Sequence, residues 1–225
     1  MMPENRRKYR GFLLSAVLLL AAAAALAVDV PIAQTFRRLN QSPPIASWLG
    51  YINMFEMFGH GFGVCVLLVV LHQLDPGRRW AIPRVFLCAM AAGGLANLLK
   101  MIVLRTRPYE CDLSGAVWNA FGPWLPIFSA GSPGQSFPSA HTATAAGFAA
   151  ALIWLYPQGR LLFTTLTFLV GCQRIVCGAH YWSDVLVGAA AGVFVAQWFF
   201  NVGYLPAWCD RFESRWRHGA ADTAS

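Results

Sequence analysis

Residues 84–104 read RVFLCAMAAGGLANLLKMIVL. From Val85 to Leu99 the run carries no charge, and about 20 such residues in a helix cross the hydrocarbon core of a bilayer. Five more apolar stretches accompany it, roughly 12–28, 58–74, 139–156, 161–177 and 184–203, each bounded by charges, Pro or Gly. Six helix-length runs predict an all-α polytopic membrane protein: a six-transmembrane-helix bundle, built as a single domain over residues 1–225. A β-barrel would need alternating segments of about 10 residues, and the sequence has none.

Composition agrees. Of the 225 residues, 57% are hydrophobic and only 12% charged, against about 45–50% and about 25% in soluble domains. So little charge cannot cover a water-facing surface, and the same figures exclude disorder, a collagen repeat and a small disulfide scaffold. The six cysteines form no CxxC pair and read as small packing residues.

The net charge of +7 is sorted by side of the membrane before it is read as a hint of nucleic acid, because cytoplasmic loops attract Lys and Arg. With six crossings, one side receives Arg6, Arg7, Lys8, Arg10, Arg78, Arg79, Arg84, Arg160, Arg211, Arg215 and Arg217, eleven of the seventeen basic residues. That side is expected to be cytoplasmic and to hold both termini, including a short tail over 204–225. Trp208, Phe212 and Trp216 fall at i, i+4 and i+8 in this tail, as an interfacial helix or as a frayed end with aromatics at the interface. The first span also resembles a secretory signal ending in Ala25-Leu26-Ala27. Anchor or leader, residue 29 emerges outside and the later spans keep their directions.

Six basic residues remain: Arg37, Arg38, Lys100, Arg105, Arg107 and Arg174. Lys100 and Arg107 are seven apart, about 20° around a helix, so both could aim at one anion before Pro108 ends the span. Phe137-Pro138-Ser139-Ala140-His141 opens the fourth span. There the unpaired N–H groups and the positive end of the helix dipole suit an anion, with His141 placed to donate a proton. His180 and Asp184 are four apart, so one helical face could carry both. The carboxylate would then hold one imidazole N–H and leave the other nitrogen as a nucleophile. Gly178 permits a turn that brings Arg174 round. Each cluster alone also reads blandly, as snorkelling cations, a helix cap, or a structural histidine. All three, however, emerge at one outer, periplasmic or extracellular, face. Ionisable groups at membrane depth are functional candidates, and this set suits phosphoryl transfer, which asks for charge neutralisation and alignment.

The order K-x6-RP, PS-x-H, R-x5-H-x3-D over residues 100–184 resembles the three motifs of the type 2 phosphatidic acid phosphatase family, the lipid phosphate phosphatases, in its bacterial membrane-bound branch. The resemblance implies a hydrolase of a lipid phosphate monoester or pyrophosphate. Lys100, Arg107 and Arg174 would bind the phosphate, with Ser139 and the backbone of Ala140 and His141 completing the cradle. His180 would attack phosphorus to form a phosphohistidine, Asp184 would orient it, and His141 would protonate the leaving oxygen and later activate water. No metal and no cofactor is implied. Two residues depart from the family pattern: Ala140 where Gly is usual, and Gln173 where Ser is usual.

The expected partners are the membrane and a lipid phosphate in its outer leaflet, with no nucleic acid and no obligatory protein partner. The expected location is a bacterial inner membrane. Alternatives are a phosphotransferase using the same phosphohistidine, a vanadate-type haloperoxidase (soluble, against this composition) and an anion transporter, whose sites belong near the bilayer midplane. Glu56 and His60 could line the mouth. The aromatics Trp118, Phe121, Trp124 and Phe128 of the long outer loop could wall it.

Overall fold

Among the described residues, nine α-helices and one short hairpin follow in order: α1 (Glu4–Asn40), α2 (Pro43–Gly50), α3 (Glu56–Gly59), α4 (Gly61–Leu74), α5 (Ile82–Lys100), β1 (Val103–Arg105), β2 (Phe121–Trp124), α6 (Ala140–Leu155), α7 (Arg160–Val176), α8 (Trp182–Phe200) and α9 (Tyr204–Asp222). The structure is a computed structural model that describes residues 4–127, 131 and 133–222. Phe128, one of the loop aromatics singled out above, lies outside the described residues.

A helix stands at each of the six predicted places, but they differ in length. Among the described residues, Tyr9–Asn40, Pro76–Lys100 and Trp182–Phe200 are long and apolar enough to cross a membrane. The pair Pro43–Gly59 and Gly61–Leu74, bent by 67°, is a fourth if taken as one span. α6 and α7, with 16 and 17 residues, rise only about 24–26 Å, short of a core of about 30 Å.

The all-α expectation holds except at one point. Residues 103–105 do not continue the α5 helix. They pair antiparallel with β2, with Val103 opposite Trp124 and Arg105 opposite Phe121. The helix stops at Lys100, so Lys100 and Arg107 do not share a helical face. The cause is tertiary: Thr106 N donates to Ala120 O and Leu125 N to Ile102 O, partners that lie beyond the window in which periodicity is read.

α6 is the centre of the bundle. Its sequence AHTATAAGFAAALIWL is small and apolar all round, and nearly every residue from Thr142 to Leu152 is buried. It packs between α5, α7 and α8. Gly188 and Gly192 of α8 form the G-x-x-x-G spacing that lets helix backbones approach. A Cβ on Gly188 would lie 2.4 Å from Ser139 O, and one on Gly192 would lie 2.4 Å from Ala143 O. This crossing sets the start of α6 beside the start of α8. α1 packs along α8, and its Ser15 Oγ donates to Ala190 O at 3.1 Å.

At the other end of α5, buried Arg84 ion-pairs Asp210 at 2.8 Å and Glu213 at 3.3 Å. The tail is therefore an ordered helix held to the bundle, and Trp208, Phe212 and Trp216 stack along it with ring centroids 6.2 and 5.7 Å apart.

Candidate active site

The three sequence clusters meet at one end of the bundle, where α5 and α7 end and α6 and α8 begin. Backbone contacts fix the junction. Ser139 N donates to Asp184 O at 3.0 Å, joining the α6 cap to the first turn of α8. Gly178, at φ +70°, reverses the chain after α7, and the N–H groups of Ala179 and His180 both donate to Arg174 O at 3.1 Å. The turn expected of this glycine is observed, and it sets the Arg174 carbonyl against His180, but the Arg174 side chain turns toward His141 and Glu56.

Asp184 does not hold His180 as spacing alone suggested. His180 precedes the helix, so the two do not share a helical face, and Nδ1 stands 3.8 Å from Asp184 Oδ2, beyond a hydrogen bond. The imidazole bonds instead to the carbonyl of Ser136, with Nδ1 2.6 Å from its oxygen. A carbonyl only accepts, so Nδ1 carries the proton and Nε2 is left with a lone pair. The carboxylate is already saturated: Ser136 Oγ donates at 2.6 Å, Tyr181 N at 2.9 Å, and Arg105 Nη1 at 2.5 Å. Ser136 thus bridges the two, its hydroxyl donating to Asp184 and its carbonyl facing His180 Nδ1.

Behind Asp184 lies a fully buried chain of charges. Arg105 Nη2 meets Asp29 Oδ2 of α1 at 2.8 Å, and Asp29 also accepts from Ser183 N at 3.0 Å and from the Ser183 hydroxyl. The Arg105 guanidinium lies 4.0 Å from the Tyr181 ring centroid and 4.6 Å from that of Phe121. From the sequence Arg105 was only one of six basic residues outside the cytoplasmic set, and Asp29 was not singled out. The available signal was a carboxylate inside an apolar helix.

The cationic residues are arranged unevenly. Lys100 is buried and its Nζ donates to Gln135 O at 2.5 Å. Lys100 and Arg107 both act electrostatically on His180. Burial, opposed by Asp184, holds the His180 imidazole pKa down at about 4, so the ring is neutral near pH 7. The Ser139 hydroxyl is used in the cap, 2.9 Å from Thr142 Oγ1 and accepting from Thr142 N. That leaves the first-turn N–H groups at Ala140 and His141 as the donors a helix start offers.

Arg174 faces another way. Nη1 lies 3.4 Å from His141 Nδ1, and Nε donates to Gln173 Oε1 at 2.6 Å. Nη2 meets Glu56 Oε2 at 3.1 Å, while His141 Nε2 lies 3.2 Å from Glu56 Oε1. Glu56, read only as a mouth residue, joins the two. Arg37 Nη2 donates to Cys111 O at 2.8 Å and to Pro108 O, which ties the segment after Arg107 to α1. A cavity of about 630 Å³ opens beside it, lined by Arg37, Asn40, Pro108, Tyr109, Cys177 and Gly178. Trp118 and Trp124 of the loop between Arg107 and Ser139 are exposed.

The family model described as "PAP2 superfamily" matches residues 82–206, and that stretch contains every residue of the three motifs. The chain belongs to the PAP2 superfamily. A lipid A 1-phosphatase of Rhizobium johnstonii is 38% identical over 150 residues, covering 66% of this chain and 59% of the relative. A lipid A 1-phosphatase of Rhizobium etli is 37% identical, covering 50% and 46%. A decaprenylphosphoryl-5-phosphoribose phosphatase of Mycobacterium tuberculosis is 34% identical, covering 51% and 57%. The chain thus spans about half the length of the curated relatives it matches.

Among solved structures, a transmembrane PAP2-type phosphatidylglycerolphosphate phosphatase from Bacillus subtilis matches with a TM-score of 0.58 at 20% identity, covering 84% of this chain and 92% of that one. Aquifex aeolicus LpxE matches at 0.52 and 23%, covering 72% and 90%. The PAP2 fold and the apolar helices make this an integral membrane protein.

Proposed function

We propose that this PAP2 protein is a lipid phosphate phosphatase that works through a phosphohistidine on His180. The observation that carries the reading is the Nδ1 contact to the Ser136 carbonyl at 2.6 Å. It leaves Nε2 of a neutral, buried imidazole with its lone pair, in the field of Lys100 and Arg107. In the first step Nε2 attacks phosphorus, the P–O bond to the lipid breaks, and His141 protonates the leaving oxygen. In the second, His141 takes a proton from water as that water attacks phosphorus, the phosphorus–nitrogen bond breaks, and Nε2 regains its lone pair. Lys100, Arg107, Arg174 and the N–H groups at Ala140 and His141 neutralise the phosphoryl oxygens, which is the main demand of phosphoryl transfer. On this reading the positive charge comes from side chains and no metal is required.

The relatives' names put lipid A 1-phosphate first among substrates, ahead of phosphatidic acid, phosphatidylglycerol phosphate and undecaprenyl pyrophosphate. We read α6 and α7 as two further, short crossings of a six-span single domain. The segregation of Arg78, Arg79, Arg84 and Arg160 to the opposite helix ends supports cytoplasmic termini and an outward site in a bacterial inner membrane.

The test is phosphate release from this panel in detergent with EDTA. Wild type is expected to release phosphate with no acceptor alcohol present, which separates a hydrolase from a phosphotransferase. His180→Ala is expected to lose at least about 10³-fold. Undiminished turnover by His180→Ala would refute the phosphohistidine.

A further inference from the structure

Glu56 was given no role by its motif position. It lies outside the three motifs and outside the stretch that matches the superfamily. Its carboxylate is nevertheless divided between two of the residues assigned above, with Oε1 at 3.2 Å from His141 Nε2 and Oε2 at 3.1 Å from Arg174 Nη2. Gln173, the departure from the family pattern, builds the platform. Its Nε2 donates to Asn53 Oδ1 at 3.0 Å and reaches Glu56 Oε2 at 3.5 Å, while its Oε1 accepts from Arg174 Nε at 2.6 Å. A serine could not span from α7 to the 53–56 segment. The longer amide does so, and it is buried, with 1% of its surface exposed.

The contacts also fix the direction of the His141 ring. Arg174 can only donate, so Nδ1 faces it with a lone pair and the ring proton sits on Nε2, donated to Glu56. Nδ1 is therefore the nitrogen turned toward the proposed phosphate ligand. We propose that Glu56 is a positioning residue that holds His141 by Nε2, so that Nδ1 delivers the proton to the leaving oxygen. This rests on the reading of His141 as the acid. The acid is the imidazolium, in which Nδ1 has taken a proton from solvent and Arg174 has turned from Nδ1 to the phosphate; that proton passes to the leaving oxygen as the P–O bond breaks and the bond from phosphorus to His180 Nε2 forms. Nδ1 regains a proton from the water that cleaves the phosphorus–nitrogen bond, so each turnover returns the ring to its starting state.

The two arms of Glu56 separate in kinetics. A proton donor matters for an alkoxide leaving group and hardly at all for a nitrophenolate, whereas the Arg174 arm affects phosphate binding for both. The experiment compares kcat/KM for a lipid-tailed alkyl phosphate and a lipid-tailed nitrophenyl phosphate in the same detergent. kcat/KM reads the chemistry up to release of the leaving group, and their ratio cancels changes in phosphate binding. Glu56→Gln is expected to lower the alkyl-to-aryl ratio by about 10- to 100-fold, and Glu56→Asp, which keeps the carboxylate, to restore part of it. An unchanged ratio overturns the proposal. So does faster turnover of both substrates by Glu56→Gln, which would make the carboxylate a competitor of phosphate. His141→Ala is the arm that tests the underlying reading. If that variant leaves the ratio unchanged, His141 is not the acid, whatever Glu56 does. Thermal unfolding of each variant in detergent identifies a folding defect, which would lower both rates together and leave the ratio in place.

Discussion

Two buried arginines stand at opposite ends of α5 and are built alike. Arg84 at its start pairs with Asp210 and Glu213 and lies 4.8 Å from the ring centroids of both Trp154 and Phe200. Arg105, just beyond its end, pairs with Asp29 and Asp184 and lies between Tyr181 and Phe121. Each has two carboxylates and two aromatic faces. The difference lies in what the carboxylates touch next. Asp210 is 65% exposed and ends at solvent, whereas Asp184 is fully buried and continues through Ser136 to His180. The same clamp thus fastens a peripheral helix at one end of the bundle and aligns the proposed nucleophile at the other.

Replacing each arginine with Met breaks the comparison most directly. Arg105→Met leaves Asp29 and Asp184 as two uncompensated buried carboxylates, with an expected loss of about 3–5 kcal/mol and of nearly all phosphatase activity. Thermal unfolding in detergent and phosphate release measure the two effects. If Arg105→Met keeps its activity, the Arg105 clamp does no more than the Arg84 clamp.

The next effect in size is on pH dependence. His180 must be neutral to attack, and burial lowers its pKa to about 4. The neutral form therefore prevails above that value, and the protonated, inactive form appears as pH falls through it. The His180 limb of log kcat/KM against pH is expected near 4, well below the ordinary histidine value of about 6.5. A limb near 6.5 that follows His180 would mean that the ring is not desolvated. Arg84→Met is expected to have the smallest effect, about 1–3 kcal/mol from the buried Glu213 left behind, with kcat/KM within about twofold of wild type. A large loss of kcat/KM there would erase the distinction between the two ends.

Part of this was legible in the sequence. Six helices appear where apolar runs predict them, and the motif residues Lys100, Arg107, His141, Arg174, His180 and Asp184 are gathered at one end. What failed was geometry that depends on partners distant in sequence. Lys100 and Arg107 looked like one helical face because the pairing of 103–105 with 121–124 cannot be seen locally. Ser136 was invisible for another reason, since the group that holds His180 is a carbonyl, which every residue has. Glu56 needed Gln173, 117 positions away, before its purpose could be read. Asp29 was legible and overlooked: a carboxylate inside an apolar run asks for a cation, and Arg105 was one of the basic residues still without an assignment.

The contact of Gly188 with Ser139 has a consequence for anyone who would engineer this protein. Where Gly188 of α8 meets Ser139 of α6, Ser139 N also donates to Asp184 O, so this crossing sets the α6 cap against the first turn of α8. Rigidity of the bundle and registration of the site therefore depend on the same close contact. Changes that make this crossing tighter or looser will move heat resistance and turnover together, while changes around Arg84 will move the first alone.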